Sequence, residues 1–228
     1  ALNSVLTANS SPVANADASD VSLTPGVAGG PALEQGADAN NPTLNTQVST
    51  GVLTAAVAAT GNVLSTGAGG DTADTDADGD VLTVTRVVSG AGYSASVAST
   101  GTTSVLGSFG TLVISSNGTY TYTVDNTNAT VNSLNVGSTP LSDVFTYSIS
   151  DGKGGTASTS LTVRIKGSND APLAAPDYNT AKESTTSAVS GFNYTGYNAS
   201  GNVLSNDADV DNVLAERSIV GLQTKGGM

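Results

Sequence analysis

The chain has 228 residues and a mass of 22.3 kDa, light for its length because Gly, Ala, Ser and Thr dominate. Seven Lys and Arg against nineteen Asp and Glu leave a net charge of −12, and sixteen of the acids are Asp, a residue of turns and ligand loops rather than helices. With no His and no Cys, Ser-His-Asp and Cys-His catalysis, imidazole and thiolate metal sites, and disulfides are excluded. Only oxygen remains to bind a metal. A pI near 4.1 sets the chain against nucleic acid and anionic membrane surfaces. The most apolar run, Val52 to Ala59, falls far short of the roughly 20 residues that span a bilayer.

From the N-terminus, the first feature is a repeat. Asn9-Ser10-Ser11-Pro12-Val13-Ala14-Asn15-Ala16-Asp17 recurs as Asn169-Asp170-Ala171-Pro172-Leu173-Ala174-Ala175-Pro176-Asp177, an offset of 160. Gly61-Asn62-Val63-Leu64-Ser65 recurs at 201–205, an offset of 140. Asp76-Ala77-Asp78-Gly79-Asp80 recurs as Asp207-Ala208-Asp209-Val210-Asp211, an offset of 131. The order is kept while the spacing shrinks, as expected of loops on one scaffold. Residues 12–168 therefore read as a complete copy and 169–228 as the beginning of a second. Residues 1–11 read as a terminal strand or arm, the end of a preceding copy. Two explanations stay open for the partial copies: a piece of a longer array, or ends that complete each other between molecules by strand addition.

Residues 26–50, rich in Gly, Pro, Asn and Ala, read as a long loop. Next comes Asp74-Thr75-Asp76-Ala77-Asp78-Gly79-Asp80, with Asp71 just upstream. Alternate residues of an irregular loop can aim carboxylates at one point, and Ca²⁺ takes six to eight oxygens at about 2.3–2.6 Å. Asp74, Asp76, Asp78, Gly79 and Asp80 match positions 1, 3, 5, 6 and 7 of an EF-hand loop, but position 12 is Thr85 instead of Glu. Asp207, Asp209 and Asp211 repeat the pattern. A purely solvated turn is the alternative, and the mutual repulsion of so many carboxylates opposes it. Mg²⁺ is a poorer fit because it demands stricter octahedral geometry.

Strands follow at Val81–Val88, Gly110–Ser115 and Thr119–Val124. The last two flank Asn117-Gly118, the signal for a two-residue type I′ turn. Tyr120, Tyr122 and Val124 fall on one face and three Thr on the other. Val144–Ser150 repeats this alternation with Phe145, Tyr147 and Ile149 inward, and Ser158–Lys166 with Leu161, Val163 and Ile165. Asp125-Asn126-Thr127-Asn128 and Asp151 read as turn residues. No segment shows a 3.6-residue period. The fold class is all-β, an antiparallel β-sandwich.

In order, Gly110-Thr111-Leu112, Asn117-Gly118-Thr119-Tyr120-Thr121-Tyr122, Phe145-Thr146-Tyr147, Ser150-Asp151-Gly152, Gly154-Gly155-Thr156 and Asn169-Asp170-Ala171-Pro172 resemble the VCBS repeat of large bacterial surface and secreted proteins. The preceding Gly-Asn-Val-Leu and Asp-rich region is similar to the cadherin-like modules of type I-secreted RTX adhesins. The resemblance implies an extracellular, Ca²⁺-stabilised, Ig- or cadherin-like sandwich in a tandem repeat array, non-enzymatic, serving adhesion, surface structure or biofilm matrix. It adds Asp17 as a candidate ligand in the first copy and Asp177 in the second. It also offers Asn169 and Asp170 as an interdomain Ca²⁺ clamp, against an Asx turn before a stiff Pro; Ser10 stands at the Asp170 position of the first copy. The leading expectation is a Ca²⁺-binding structural module of an adhesin or matrix protein, whose partners are neighbouring repeats and a cell or matrix surface. The alternatives are a surface-layer or filament subunit assembling with identical chains, and an accessory domain of a secreted hydrolase.

Overall fold

The computed structural model describes residues 8–35, 56–67, 71–186, 193–212 and 217–222. The chain divides into two units, Ala1–Asp170 and Ala171–Met228. In the first unit the strands run β1 (Asp17–Ala18), β2 (Ala32–Leu33), β3 (Ala59–Asn62), β4 (Thr83–Ser89), β5 (Ser94–Ser96), β6 (Thr102–Leu106), β7 (Gly110–Ser115), β8 (Thr119–Val124), β9 (Leu141–Ser150) and β10 (Thr156–Lys166). One sheet is ordered β1-β10-β9-β4-β5, with β2 also on β10; the other is β3-β8-β7-β6. Two sheets facing each other make the all-β sandwich that the alternation implies.

Alternation explains the core. Phe145, Tyr147 and Ile149 from β9, Leu161, Val163 and Ile165 from β10, Leu112 and Ile114 from β7, and Tyr120, Tyr122 and Val124 from β8 are all buried. Thr and Ser occupy most intervening positions, so each strand turns one face to the core and one to water. Tyr122 meets Phe145 edge-on, ring centroids 6.0 Å apart at 67°. In β4 the buried Val84 and Val87 are an odd number of residues apart, and a register shift between Val84 and Arg86 accounts for it. The extra residue of a bulge flips the facing of all that follows.

Several features differ from the sequence reading. β1 and β2 join β10 in parallel, Asp17 opposite Leu161 and Ala32 opposite Ile165, so the sandwich is not wholly antiparallel. Of the expected loop 26–50, residues 28–34 are part of the fold: Ala28 bridges to Thr60, Leu33 to Val57, and Ala32 and Glu34 are fully buried. Two-residue strands among Gly and Pro leave no periodicity to detect. Residues 36–50 of that expectation, and 1–7 of the terminal arm, lie outside the described residues. Asn117-Gly118 does not form a type I′ turn, which needs positive φ at both residues: Gly118 has φ 85°, but no described non-Gly residue, Asn117 included, has positive φ. Ile114 pairs with Tyr120, and Gly118 N donates to Ser115 O at 3.0 Å, as in a three-residue loop with glycine in the left-handed bulge position. One helical turn, α1 (Ala129–Asn132), is capped by the Asn128 side chain, too short to show a period.

In the second unit, β11 (Thr185–Thr186) pairs antiparallel with β12 (Asn193–Tyr194), and single bridges join Lys182 to Tyr197 and Leu173 to Ala208.

Candidate metal centre

The Asp-rich loop runs into β4. Its first half is held by Val13, whose N–H and C=O pair with Thr75 at 2.8 and 3.0 Å. Its second half folds round Asp76, whose Oδ1 accepts from Asp78 N at 2.9 Å and Asp80 N at 3.3 Å. Gly79, at φ 74°, supplies the left-handed turn between them. This wrap brings carboxylate oxygens of Asp76, Asp78 and Asp80 within 4.8 Å of one another. Asp76 Oδ2 is shielded from solvent and receives no donor. Lys153 Nζ lies 3.0 Å from Asp80 Oδ1 on an exposed side chain; Asp80 raises the Lys153 pKa, but one solvated ion pair offsets little of such repulsion. Asp78 Oδ2 accepts from Ser10 N at 2.6 Å, and Asn9 donates to Asp151 Oδ2 at 2.7 Å. The Asn9 amide, with backbone N–H groups of Lys153 and Gly155, holds the Asp151 carboxyl below its ordinary range.

Asp74 parts company with this trio. Its Oδ1 accepts from Asn15 N at 2.6 Å and its Oδ2 from the Tyr147 hydroxyl at 3.2 Å. That hydroxyl also lies 2.7 Å from Asp17 Oδ2, 3.0 Å from Asn15 O and 3.1 Å from Val63 O. Asp71 is also buried: Oδ2 accepts from Asn62 N at 3.1 Å, while neither Oδ1 nor the buried Tyr120 hydroxyl has a hydrogen-bond partner. Burial pushes Asp17 up to about 7, against the Tyr147 and Thr72 hydrogen bonds, and Asp71 and Asp74 add to the rise. Burial likewise raises Asp71 and Asp74, opposed by the N–H groups of Asn62 and Asn15. The Tyr120 and Tyr147 hydroxyls are raised by burial and by these acids. Asp17, Asp71 and Asp74 do not bring oxygens within 4.8 Å of one another as the loop trio does. Tyr147 is legible in the sequence as a core residue; the signal for its second role is that a buried tyrosine hydroxyl needs a partner.

The second copy repeats the scaffold in a shifted register. Leu173 pairs with Ala208 as Val13 pairs with Thr75, and Asp207 Oδ1 accepts from Ala175 N at 2.8 Å as Asp74 Oδ1 does from Asn15 N. Asp207 thus takes the place of Asp74, 133 positions on, and not of Asp76 as the 131 offset has it. Asp209 then corresponds to Asp76, its Oδ1 accepting from Asp211 N at 3.2 Å and Asn212 N at 3.0 Å. Asp207, Asp209 and Asp211 do not form a group like the loop trio. Arg217 instead donates to the carbonyls of Asp207 and Asn212. Asp177 lines a groove with Tyr178 and Asn179. In the linker, Asp170 is fully buried, while Asn169 is exposed and donates to Asp170 O at 2.5 Å.

No helix among the described residues is long and apolar enough to cross a membrane. No curated protein matches the chain. Residues 40–167 match the family described as the bacterial cadherin-like domain. Domains of that family are typically non-catalytic structural modules of extracellular or surface proteins and generally bind Ca²⁺. With the match covering more than half of the 228 residues, the chain belongs to the bacterial cadherin-like domain family.

Proposed function

We propose that the chain is a Ca²⁺-binding structural module of an extracellular bacterial adhesin or surface protein of the VCBS and RTX type, rigidified by the ion and arrayed with further copies. The observation that carries this reading is the convergence of Asp76, Asp78 and Asp80 within 4.8 Å, together with the donorless, buried Oδ2 of Asp76. An all-oxygen, multiply charged donor set suits a hard cation of variable coordination. Asp76, Asp78 and Asp80 would hold the ion. Asp74, through Tyr147 and Asn15, ties the same loop to the core. Bound Ca²⁺ supplies positive charge that cancels the repulsion in the loop.

Because extracellular modules bind at about 10⁻⁴–10⁻³ M, the sites fill outside a cell and empty inside it. Folding is thereby coupled to export. Titration calorimetry with Ca²⁺ on the full chain and on Asp78→Asn tests the assignment. Saturable binding that the variant weakens at least tenfold is expected; binding that the variant leaves unchanged, or none at all, would sink it.

A further inference from the structure

Residues 1–170 carry thirteen Asp and Glu against four Lys and Arg, so the first unit as a whole repels anions. The outer face of its larger sheet departs from that average. Register fixes which side chains share this face: Arg164 stands opposite Ser142, Thr162 opposite Val144, Ser160 opposite Thr146, and Ser158 opposite Ser148, which also pairs with Arg86 on β4. Lys166 is the next outward position after Arg164. Three of the four cations therefore lie on one face. No Asp or Glu holds an outward position in β1, β4, β5, β9 or β10, because the two acids within these strands, Asp17 and Asp143, are each 1% exposed and turned to the core.

The three cations are also unclaimed. Lys153 pairs with Asp80 at 3.0 Å, but Arg86, Arg164 and Lys166 have no carboxylate partner among the described residues. Arg164 Nη1 donates instead to Ser142 Oγ at 3.2 Å, which draws its guanidinium across towards β9. Arg86 is exposed, and Arg164 and Lys166 are half-buried. Neither β4 nor β10 is an edge strand, so these charges do not serve to guard an edge against pairing.

Spacing and surroundings select the partner. Arg164 and Lys166 are about 7 Å apart along β10, while Arg86 lies about 20 Å further along the strand direction and about 10 Å across it. Between them stand the hydroxyls of Thr146, Ser148, Ser158, Ser160 and Thr162, groups that both donate and accept; Ser148 and Ser158 Oγ are 2.8 Å apart. Sparse cations among hydroxyls match a polymer that is itself rich in hydroxyls and carries an anion only at intervals. Duplex nucleic acid, with a charge about every 1.7 Å, would leave most of its phosphates unanswered. No aromatic residue holds an outward position in these strands, so bases have nothing to stack on. Val88 and Val144 are the apolar outward residues of β4, β9 and β10, too little to enter a bilayer.

We propose that the outer face of the β1-β10-β9-β4-β5 sheet binds an acidic polysaccharide, its carboxylates reaching Arg86, Arg164 and Lys166 and its hydroxyls meeting the Ser and Thr between them. Charge-assisted hydrogen bonds from the two guanidinium groups orient the chain of sugars. This face is separate from the Asp76–Asp80 loop and does not depend on a metal.

The test titrates oligogalacturonate into the isotopically labelled full chain, followed by NMR, in EGTA so that no Ca²⁺ bridges sugar carboxylates to the Asp loop. Saturable shifts confined to β4, β9 and β10 are expected, with affinity falling about tenfold between about 50 and 300 mM NaCl. A chain carrying Arg86→Gln, Arg164→Gln and Lys166→Gln, matched to the wild type by circular dichroism, should bind about tenfold or more weakly, and neutral maltohexaose should not bind the wild type. Thr146→Glu keeps all three cations and sets a carboxylate among them; it should weaken binding about threefold or more, so the result does not hang on the triple variant folding. No saturable shift, shifts on β6 to β8 or the Asp loop instead, binding that survives both variants, or equal binding of maltohexaose would overturn the proposal. Tighter binding of oligothymidylate or of phosphatidylserine vesicles would do the same. So would self-association that the triple variant abolishes while the sugar stays unbound, which would give the face to a second copy of the chain.

Discussion

Replacing Tyr147 with Phe removes one oxygen from the interior of the first unit and leaves the ring in place. That oxygen stands 2.7 Å from Asp17 Oδ2 and 3.2 Å from Asp74 Oδ2, and it brings a single proton. A hydrogen bond to a charged group contributes about 1.5–3 kcal/mol. The loss depends on pH through Asp17, whose carboxyl rises from 3.8 to about 7 on folding, chiefly by desolvation, with Tyr147 the largest opposing influence. The folded state therefore binds this proton more tightly than the unfolded one. The stability this contributes is fully present below 3.8 and is lost as pH rises through about 7. At pH 5 Asp17 is neutral in both proteins, and Tyr147→Phe should cost about 1 kcal/mol. At pH 8 the variant must bury a carboxylate without its donor, and the cost should reach about 3 kcal/mol. Urea unfolding in EGTA, followed by circular dichroism at both pH values, measures the difference. Equal costs at pH 5 and pH 8, or none, would refute the assignment of the hydroxyl to these acids.

Three further changes probe other parts of the account. Asp143 accepts from Tyr122 OH at 2.9 Å, Phe109 N at 3.0 Å and Ser108 N at 3.1 Å, so Asp143→Ala strands buried donors and should lower the urea-unfolding free energy by about 2–4 kcal/mol. Gly118→Ala places a Cβ at positive φ and against Asn62 and Leu64; a loss of about 2 kcal/mol or more is expected by the same assay. Lys153→Met removes the cation 3.0 Å from Asp80, which competes with any ion for that carboxylate, so calorimetry should show Ca²⁺ affinity rising several-fold.

β7 to β10 are legible because bulky residues recur at every second position, with Thr and Ser at most of the positions between, and that alternation is largely the burial pattern; Asp143 buried beside an exposed Val144 is the exception. β1 and β2 are not, since two residues cannot show a period and their pairing depends on where β10 lies in space. Asn117-Gly118 announces a hairpin without distinguishing the two-residue from the three-residue loop, because glycine at positive φ serves both. The acids of residues 71–80 stand out in the sequence, but their spacing does not say which carboxylates turn inward. The Val13–Thr75 pairing decides that, sending Asp74 towards Tyr147 and leaving Asp76, Asp78 and Asp80 together. The repeat register is ambiguous by two residues for the same reason: Asp at alternate positions aligns equally well at an offset of 131 or 133 until the Leu173–Ala208 bridge selects the second.

The most direct measurement is thermal unfolding of the full chain at pH 7.5 in Ca²⁺ and in EGTA. With a site of about 10⁻⁴ M affinity, about 10 mM Ca²⁺ adds about 2.7 kcal/mol to the folded state. For a unit of this size that is a rise of about 5–10 °C in Tm. Asp78→Asn should remove most of the rise while leaving the EGTA curve close to the wild type. Superimposable curves in Ca²⁺ and EGTA would contradict the assignment of Asp76, Asp78 and Asp80 as a Ca²⁺ site that stabilises the fold.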